Sequence, residues 1–380
     1  MQDFVFREII TDNIQPEIEA VGFDSSYSTQ ICNKFEYKNI KIYSLTVPQA
    51  NILKQTALSV GADCATHRET ITAKIETTDC ILGGSISQIK KIAEKLKFQP
   101  FGLKSLGEKL ISFIGIEKKS KTKIMGILNL TDNSFSDGGM YVDYEKACEH
   151  FLQLVSDGAD IIDIGAESTR PYSVPVSADI QLERILPVLK FTKSNDIKIP
   201  LSVDTRSSVV AEECIRNGAG IINDVSGLTY DKKLADVIAK YGVKVVIQHS
   251  KGTPENMQDN PVYKNLMDEI YLDLKKKVEF AVSSGIAADK IIIDPGIGFG
   301  KRREDNFEII KRLSELHGLG CPVMLGVSRK SFLNIQDEDN FTKDIYTTAI
   351  NTLAIEKKVD IIRVHNVRMH RQLLDILCKK

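Results

Sequence analysis

Hydrophobic and polar positions change rhythm near residue 120. Beyond it, short β-branched runs recur at 123–129, 161–165, 201–204, 221–224, 244–249, 291–294, 322–326 and 361–365. Short continuous apolar runs bounded by turn formers are how strands buried on both faces read in a sequence. Amphipathic stretches separate most of them. Cys148, Phe151, Leu152 and Val155 fall on one helical face, as do Leu182, Ile185, Leu186 and Leu189. A longer helix is predicted over 263–285, with Leu266, Ile270, Leu274 and Val278 on one side. Strand–helix repeats require parallel strands joined by crossovers. The set within residues 122–380 matches the size of a (β/α)8 TIM barrel, typically ~250 residues. A doubly wound open sheet competes with it. That fold needs fewer strands, and its G-x-G-x-x-G fingerprint is missing after the first strand.

Residues 1–118 read as a small α/β domain before the barrel, ending at the charged run Lys118-Lys119-Ser120-Lys121. Residues 41–45 suggest a strand, and 48–61 a helix with Pro near its start and Gly at its end. Ser85 and Gln88 stand at capping-box spacing ahead of Ile86, Ile89 and Ile92. Ser105 and Glu108 repeat that spacing ahead of Leu106, Leu110 and Phe113. No motif in this part carries an arguable chemistry.

Composition narrows the class. The chain has 380 residues, 50 Lys plus Arg against 51 Asp plus Glu, and net charge −1. That balance supports neither a nucleic-acid partner nor an anionic membrane surface. With 42% hydrophobic and 27% charged residues it is an ordinary globular chain. No apolar run approaches the ~20 residues of a membrane span, and the first residues lack a secretory pattern. The 7 cysteines form no C-x-x-C pair. Free thiols in a reducing cytoplasm are expected.

Barrel chemistry sits where the strands end. Those ends carry Asn129, Glu167 to Arg170, Asp204, Asn223 with Asp224, His249, Asp294, Ser328 to Ser331, and Arg363 with His365. Turn propensity explains any single one of these polar residues but not the whole ring. In Asp294-Pro-Gly-Ile-Gly-Phe-Gly-Lys301 the glycines allow backbone to lie close under a flat ligand, with Phe299 facing it. Gly326-Val-Ser-Arg-Lys-Ser331 reads as a strand running into a helix start, attractive to an anion, with Arg329 and Lys330 adding charge. Arg363 and His365 share a strand face and, with Asn129, could hold a polyphosphate. His67, His150, His317 and His370 are expected at the surface.

Several strings carry a resemblance, in this order: Met125-Gly-Ile-Leu-Asn129 with Ser134-Phe-Ser-Asp-Gly-Gly139, Glu167-Ser-Thr-Arg-Pro171, Ser202-Val-Asp-Thr205, Ile221-Ile-Asn-Asp224, Asp294 to Lys301, Ser328-Arg-Lys-Ser331 and Arg363-Val-His365. Over residues 122–380 the chain resembles the dihydropteroate synthases, a family of pterin-binding barrels. The resemblance implies a transferase of folate biosynthesis and a sulfonamide target. Such an enzyme joins 6-hydroxymethyl-7,8-dihydropterin pyrophosphate to 4-aminobenzoate and releases pyrophosphate. Asp204, Asn223, Asp294 and Lys330 match pterin-binding positions. Thr169, Arg170, Pro171, Phe299 and Ser331 match positions near 4-aminobenzoate. Asn129, Arg170, Arg363 and His365 match pyrophosphate contacts, with Asn129 also at a Mg2+ position. Lys330, Arg363, His365 and Asn129 would carry catalysis. The family's pairing implies a homodimer through 343–356 and 367–378, with Thr347, Ala349, Ile350 and Leu353 on the pairing face.

The first loop departs from the family pattern at Asp132 and Asn133, as do Tyr172, Val174 and Ser250. These departures bear on loop closure and turnover. Two alternatives stand beside this reading. One is a pterin-binding methyltransferase of the same fold, which would have no pyrophosphate to hold. The other is a non-catalytic pterin-binding protein.

Overall fold

The alternation of side chains along eight parallel strands divides the barrel's apolar residues between two separate cores. The strands are β4 (Lys123–Asn129), β5 (Ile161–Gly165), β6 (Leu201–Asp204), β7 (Ile221–Asp224), β8 (Lys244–Gln248), β9 (Ile291–Asp294), β10 (Met324–Leu325) and β11 (Ile361–Val364). They pair in the order β10-β11-β4-β5-β6-β7-β8-β9. A parallel bridge from Ile293 to Val323 closes the ring, with Ile293 N donating to Pro322 O at 2.9 Å. Every backbone edge is thereby paired, as in a (β/α)8 barrel. One set of side chains, including Ile124, Leu128, Ile162, Ile164, Val245 and Ile293, packs outward against the helices. The other set, Met125, Ile161, Ile221, Val246, Ile292, Met324 and Ile361, forms a plug inside the barrel. The eight-strand reading of the sequence holds, although the 322–326 run shortens to a two-residue strand preceded by the bridge at Val323.

The computed structural model describes residues 5–11, 13–116, 121–131, 139–168, 175–252, 261–335 and 337–377. The chain divides into two compact units, Met1–Glu117 and Lys118–Lys380. In the first, β1 (Tyr37–Thr46), β2 (Asp63–Ala65) and β3 (Thr77–Ser85) form an antiparallel sheet in the order β1-β3-β2. Its apolar face shares a core with Leu53, Ile89, Ile92, Leu96 and Leu110 from three helices. The Ser85 box forms as expected, with Gln88 N donating to Ser85 Oγ at 3.3 Å and Ser85 N to Gln88 Oε1 at 2.8 Å. The second box does not. That helix runs Leu103–Ile114 and starts after Gly102, whose φ of +75° turns the chain, so Ser105 already lies inside it. The central strand β3 escapes sequence reading because Gly83, Gly84 and polar threonines interrupt its apolar pattern.

On the helix Gly139–Ser156, Phe151 and Leu154 are buried, whereas Leu152, expected on the buried face, is 46% exposed. His317 and His370 are also buried rather than at the surface. His370 Nε2 lies 2.9 Å from the Asn351 amide nitrogen, and His317 Nε2 lies 3.2 Å from Asp360 Oδ2. Each histidine finds a neighbouring polar group across the helix layer, which offsets its burial. Among the described residues, no helix is long and apolar enough to cross a membrane.

Candidate functional site at the barrel mouth

One inward position beyond the apolar plug, the barrel interior turns polar. Asp163 follows Ile161 by two residues on β5, Asn223 follows Ile221, Gln248 follows Val246, Asp294 follows Ile292 and Arg363 follows Ile361. Ser202 and Asp204 face inward from β6, since Leu201 and Val203 pack in the outer core. The carboxylates and amides of this layer are buried: Asp163 0% exposed, Asp204 8%, Asn223 2% and Asp294 3%.

Arg363 ties the layer together. Its Nε donates to Asp163 Oδ2 at 2.6 Å and its Nη2 to Asp204 Oδ2 at 2.9 Å. Asn223 Nδ2 donates to the same Asp163 oxygen at 3.0 Å. Asp294 Oδ1 accepts from Gly296 N at 2.6 Å, which pins the turn after β9. Lys330 Nζ donates to Ile297 O at 2.6 Å and stands 4.6 Å from the centre of the Phe299 ring. Asp163 Oδ1, Ser202 Oγ and Asn223 Oδ1 are buried without a hydrogen-bond partner. Unsatisfied buried acceptors are costly, so such a group calls for a donor from outside the fold.

The electrostatics follow from burial. Removal from water pushes the Asp204 carboxyl up to about 7; Arg363 opposes the shift, while Asp163, Asp224 and Glu167 reinforce it. Burial likewise raises Asp294 against the pull of Lys330. Lys330 is lowered to about 8, chiefly by burial and partly by Arg363, with Asp294 and Asp204 opposing. The mouth therefore holds one carboxyl, Asp204, and one amine, Lys330, that change charge near neutrality.

The expected residues do not all meet. Asp204, Asn223, Asp294, Lys330, Phe299 and Arg363 line one interior. Asn129 is half-buried at the end of β4, and its Oδ1 lies 3.8 Å from where a Cβ on Gly165 would sit, beside Asp204. His365 stands just past β11, its Nδ1 2.8 Å from Ser328 Oγ. Ser331 is exposed. Thr169, Arg170 and Pro171, with the first loop over 132–138, Tyr172 and Val174, lie outside the described residues.

Three expectations need correction. Asp224 faces outward and caps its own turn, accepting from Ser226 N at 2.8 Å and Leu228 N at 2.6 Å. Arg329 turns away at φ +57° into a paired contact with Asp344, both bonds 2.8 Å. Its amide goes to Thr347 Oγ1 at 3.1 Å, and only a three-residue turn, Ser331–Leu333, follows. No helix start waits there for an anion. Two of the glycines after β9 are required by the neighbouring loop, while Gly298 faces Lys330, with 3.5 Å between its would-be Cβ and the Lys330 side chain. A Cβ on Gly296 would come 1.9 Å from His249 O, and one on Gly300 would come 2.2 Å from Lys251 O.

Sequence reading missed Asp163, Gln248 and Lys301. Asp163 sits mid-strand, before the end where polar residues were sought; the period-two step from Ile161 was the available signal. Lys301 is buried, donating to Phe299 O at 3.0 Å and standing 2.9 Å from His249 Nδ1. Burial holds it well below the ordinary lysine range. Among the described residues, no group of three or more His, Cys, Asp or Glu side chains is placed to hold a metal.

Asp204 couples the site to stability. Its carboxyl ionises near 3.8 when unfolded and near 7 in the fold. Between those values the native state keeps a proton that the unfolded chain has released. The stabilisation is thus full below the unfolded value and lost as pH rises through the folded one. Asp204→Asn should lose less stability than wild type from about pH 4 to about pH 7 in urea melts. Parallel curves would show that Asp204 ionises normally.

Comparison with known proteins gives this geometry its family. Residues 125–365 match the family model described as pterin binding enzyme. A dihydropteroate synthase of Clostridium beijerinckii is 43% identical over 251 residues, 65% of this chain and 90% of the relative. A bifunctional dihydropteroate synthase/dihydropteroate reductase of Helicobacter pylori is 31% identical over 375 residues, 98% of each chain. The chain spans 40% of the length of a probable bifunctional folylpolyglutamate synthase/dihydropteroate synthase of Halobacterium salinarum, at 36% identity over 329 residues. Among solved structures, Xanthomonas albilineans dihydropteroate synthase with 4-aminobenzoic acid superposes with a TM-score of 0.63 at 35% identity, over 68% of this chain and 92% of that one. The match over residues 125–365 and these relatives show that the chain belongs to the pterin-binding enzyme family, among the dihydropteroate synthases.

Proposed function

We propose that the chain condenses 6-hydroxymethyl-7,8-dihydropterin pyrophosphate with 4-aminobenzoate to give 7,8-dihydropteroate and pyrophosphate. The observation that carries this reading is the buried acceptor layer. Asp204, Asn223 and Asp294 place oxygens in one buried layer at the barrel mouth, and a pterin edge offers the ring N–H and NH2 donors that suit them. Lys330 supplies the opposite polarity, a donor for the ring's acceptor side. Phe299 borders the 4-aminobenzoate side, and the resemblance assigns Ser331, Thr169, Arg170 and Pro171 to the same substrate.

In the reaction the C–O bond at the pterin methylene breaks and pyrophosphate leaves with the electron pair. The arylamine nitrogen forms the new C–N bond and releases its proton to solvent. The dihydropterin ring is electron-rich and stabilises the cation at the methylene, so a weakly basic amine suffices. His365 and Arg170 meet the growing charge on the leaving group. Arg363 does so from within the carboxylate layer, so its position serves ring and leaving group together. Asn129 would hold a Mg2+ ion through its single neutral side-chain oxygen. When bound, that ion would supply charge neutralisation at the pyrophosphate.

Pyrophosphate release with each substrate omitted in turn tests this function. Release should require both; a pterin-binding methyltransferase or a non-catalytic binder would give none. In the folded variant Asp294→Ala, a lost hydrogen bond to a charged group of about 1.5–3 kcal/mol should weaken pterin pyrophosphate binding roughly ten- to a hundredfold. Calorimetry showing unchanged affinity removes Asp294 from the pocket.

The reading includes a cytoplasmic homodimer. The helix Asn340–Glu356 leaves Phe341 64%, Ile345 48%, Tyr346 47% and Leu353 45% exposed. Ala349 is exposed beside them, while Thr347 is buried against its own barrel and Ile350 packs partly on the same core. An apolar stripe of this kind favours pairing with a second copy. Light scattering at micromolar concentration should give a dimer mass; a monomer overturns it.

A second activity, reduction of dihydropteroate, is favoured by the likeness to the Helicobacter pylori bifunctional protein, which runs through residues 1–118 as well as the barrel. Hydride transfer to the remaining ring C=N bond, with a proton to the nitrogen, would give tetrahydropteroate. The full chain supplied with dihydropteroate and NADPH, with and without added flavin, should consume both substrates in equal amounts. No consumption under either condition rejects this activity.

A further inference from the structure

We propose that Asp163 is a positioning residue of the pterin pocket: through one oxygen it holds Asn223 and Arg363 and fixes which atoms they present to the ring. The inference rests on the pterin reading of the barrel mouth.

Asp163 sits on β5, with β7 two strands to one side and β11 two strands to the other. Asn223 reaches it from β7 and Arg363 from β11, and both donate to Oδ2, at 3.0 and 2.6 Å. An asparagine amide has two nearly isosteric ends, one donor and one acceptor. With its NH2 committed to a buried carboxylate, Asn223 must direct Oδ1 elsewhere. That oxygen is buried and unpartnered, as is Asp163 Oδ1. A network built only to hold the barrel would satisfy its own acceptors. One that leaves acceptors open at the C-terminal end of the barrel is set for a ligand bearing N–H donors.

Arg363 gains from the same anchor. Its second bond, to Asp204 Oδ2, leaves the other Asp204 oxygen for the ring. Without Asp163 the guanidinium is free to take both Asp204 oxygens in a forked contact and compete with the ring for them. The Asn223 amide would also be free to turn over. Both changes weaken pterin binding, and neither touches the 4-aminobenzoate side, where Phe299 sits in the loop after β9 with its carbonyl held by Lys301.

The test compares full-length wild type, Asp163→Ala and Asp163→Asn, with folding checked by thermal melting. Calorimetry with the pterin pyrophosphate should show roughly tenfold weaker binding for Asp163→Ala, a loss of one charge-assisted contact. The KM for 4-aminobenzoate should stay within error. Asp163→Asn retains an acceptor oxygen and should recover most of the loss. Combining Asp163→Ala with Asn223→Ala should cost less than the product of the single losses, because one acts through the other.

Equal rises in both KM values, or fully multiplicative losses, would assign Asp163 to general scaffolding and overturn the proposal. So would unchanged pterin affinity in Asp163→Ala while wild type binds, which leaves the function itself standing. Failure of both variants to fold also overturns it. Absence of pterin binding by wild type removes the function and this inference together.

Discussion

A closed barrel must send every second side chain of each strand into a shared interior, and that interior must be filled. This constraint organises the chain. On β5, β7, β8, β9 and β11, one inward residue is apolar and joins the plug, while the next, toward the C-terminal end, is polar; β6 turns Ser202 and Asp204 inward and adds nothing to the plug. The plug supplies the hydrophobic stabilisation that a mouth full of charges cannot. It also closes the floor of the cavity, so the polar layer above it is shielded from water on one side. The low-dielectric floor gives the mouth its electrostatic character.

Placing Asp163, Asp204, Asp294, Arg363 and Lys330 in one interior is expensive. Buried ion pairs seldom repay the desolvation of both partners. The fold softens this in two ways. Arg363 spans two of the carboxylates, and Lys330 and Asp294 oppose each other's burial. The remainder is left uncompensated, as shown by the raised Asp204 and by three orphaned polar atoms. Residual destabilisation of this sort is common where a ligand completes the network. The loop after β9 contributes rigidity. Its glycines let it lie against backbone following β8, and Lys301 anchors the Phe299 carbonyl from beneath.

Much of this was legible beforehand. The eight β-branched runs and the helices between them were readable because parallel barrel strands are buried on both faces and stand out as apolar blocks. Asp204, Asn223 and Asp294 were readable because strand ends are where barrels expose side chains. Asp163 was not, since one residue type inside an apolar run looks like an exception until its partners are known. Arg329 misled for the opposite reason. It stands beside Lys330 in a basic turn, yet only the position of Asp344 on a later helix decides where its guanidinium goes. The first unit was least legible: β3 breaks its own pattern with glycines, and its pairing with β1 and β2 depends on residues distant in sequence.

The sequence by itself determined the repeat, the sidedness of each strand and the chemistry available at the mouth, because these follow from local periodicity and residue type. Only the tertiary structure decided which polar groups meet. Arg363 reaches Asp163 across 200 positions of chain and Asn223 reaches it across 60. Asp224, adjacent to Asn223, is turned to the opposite face. Closure of the ring sets these outcomes, since it converts strand order and register into distances that no local pattern encodes.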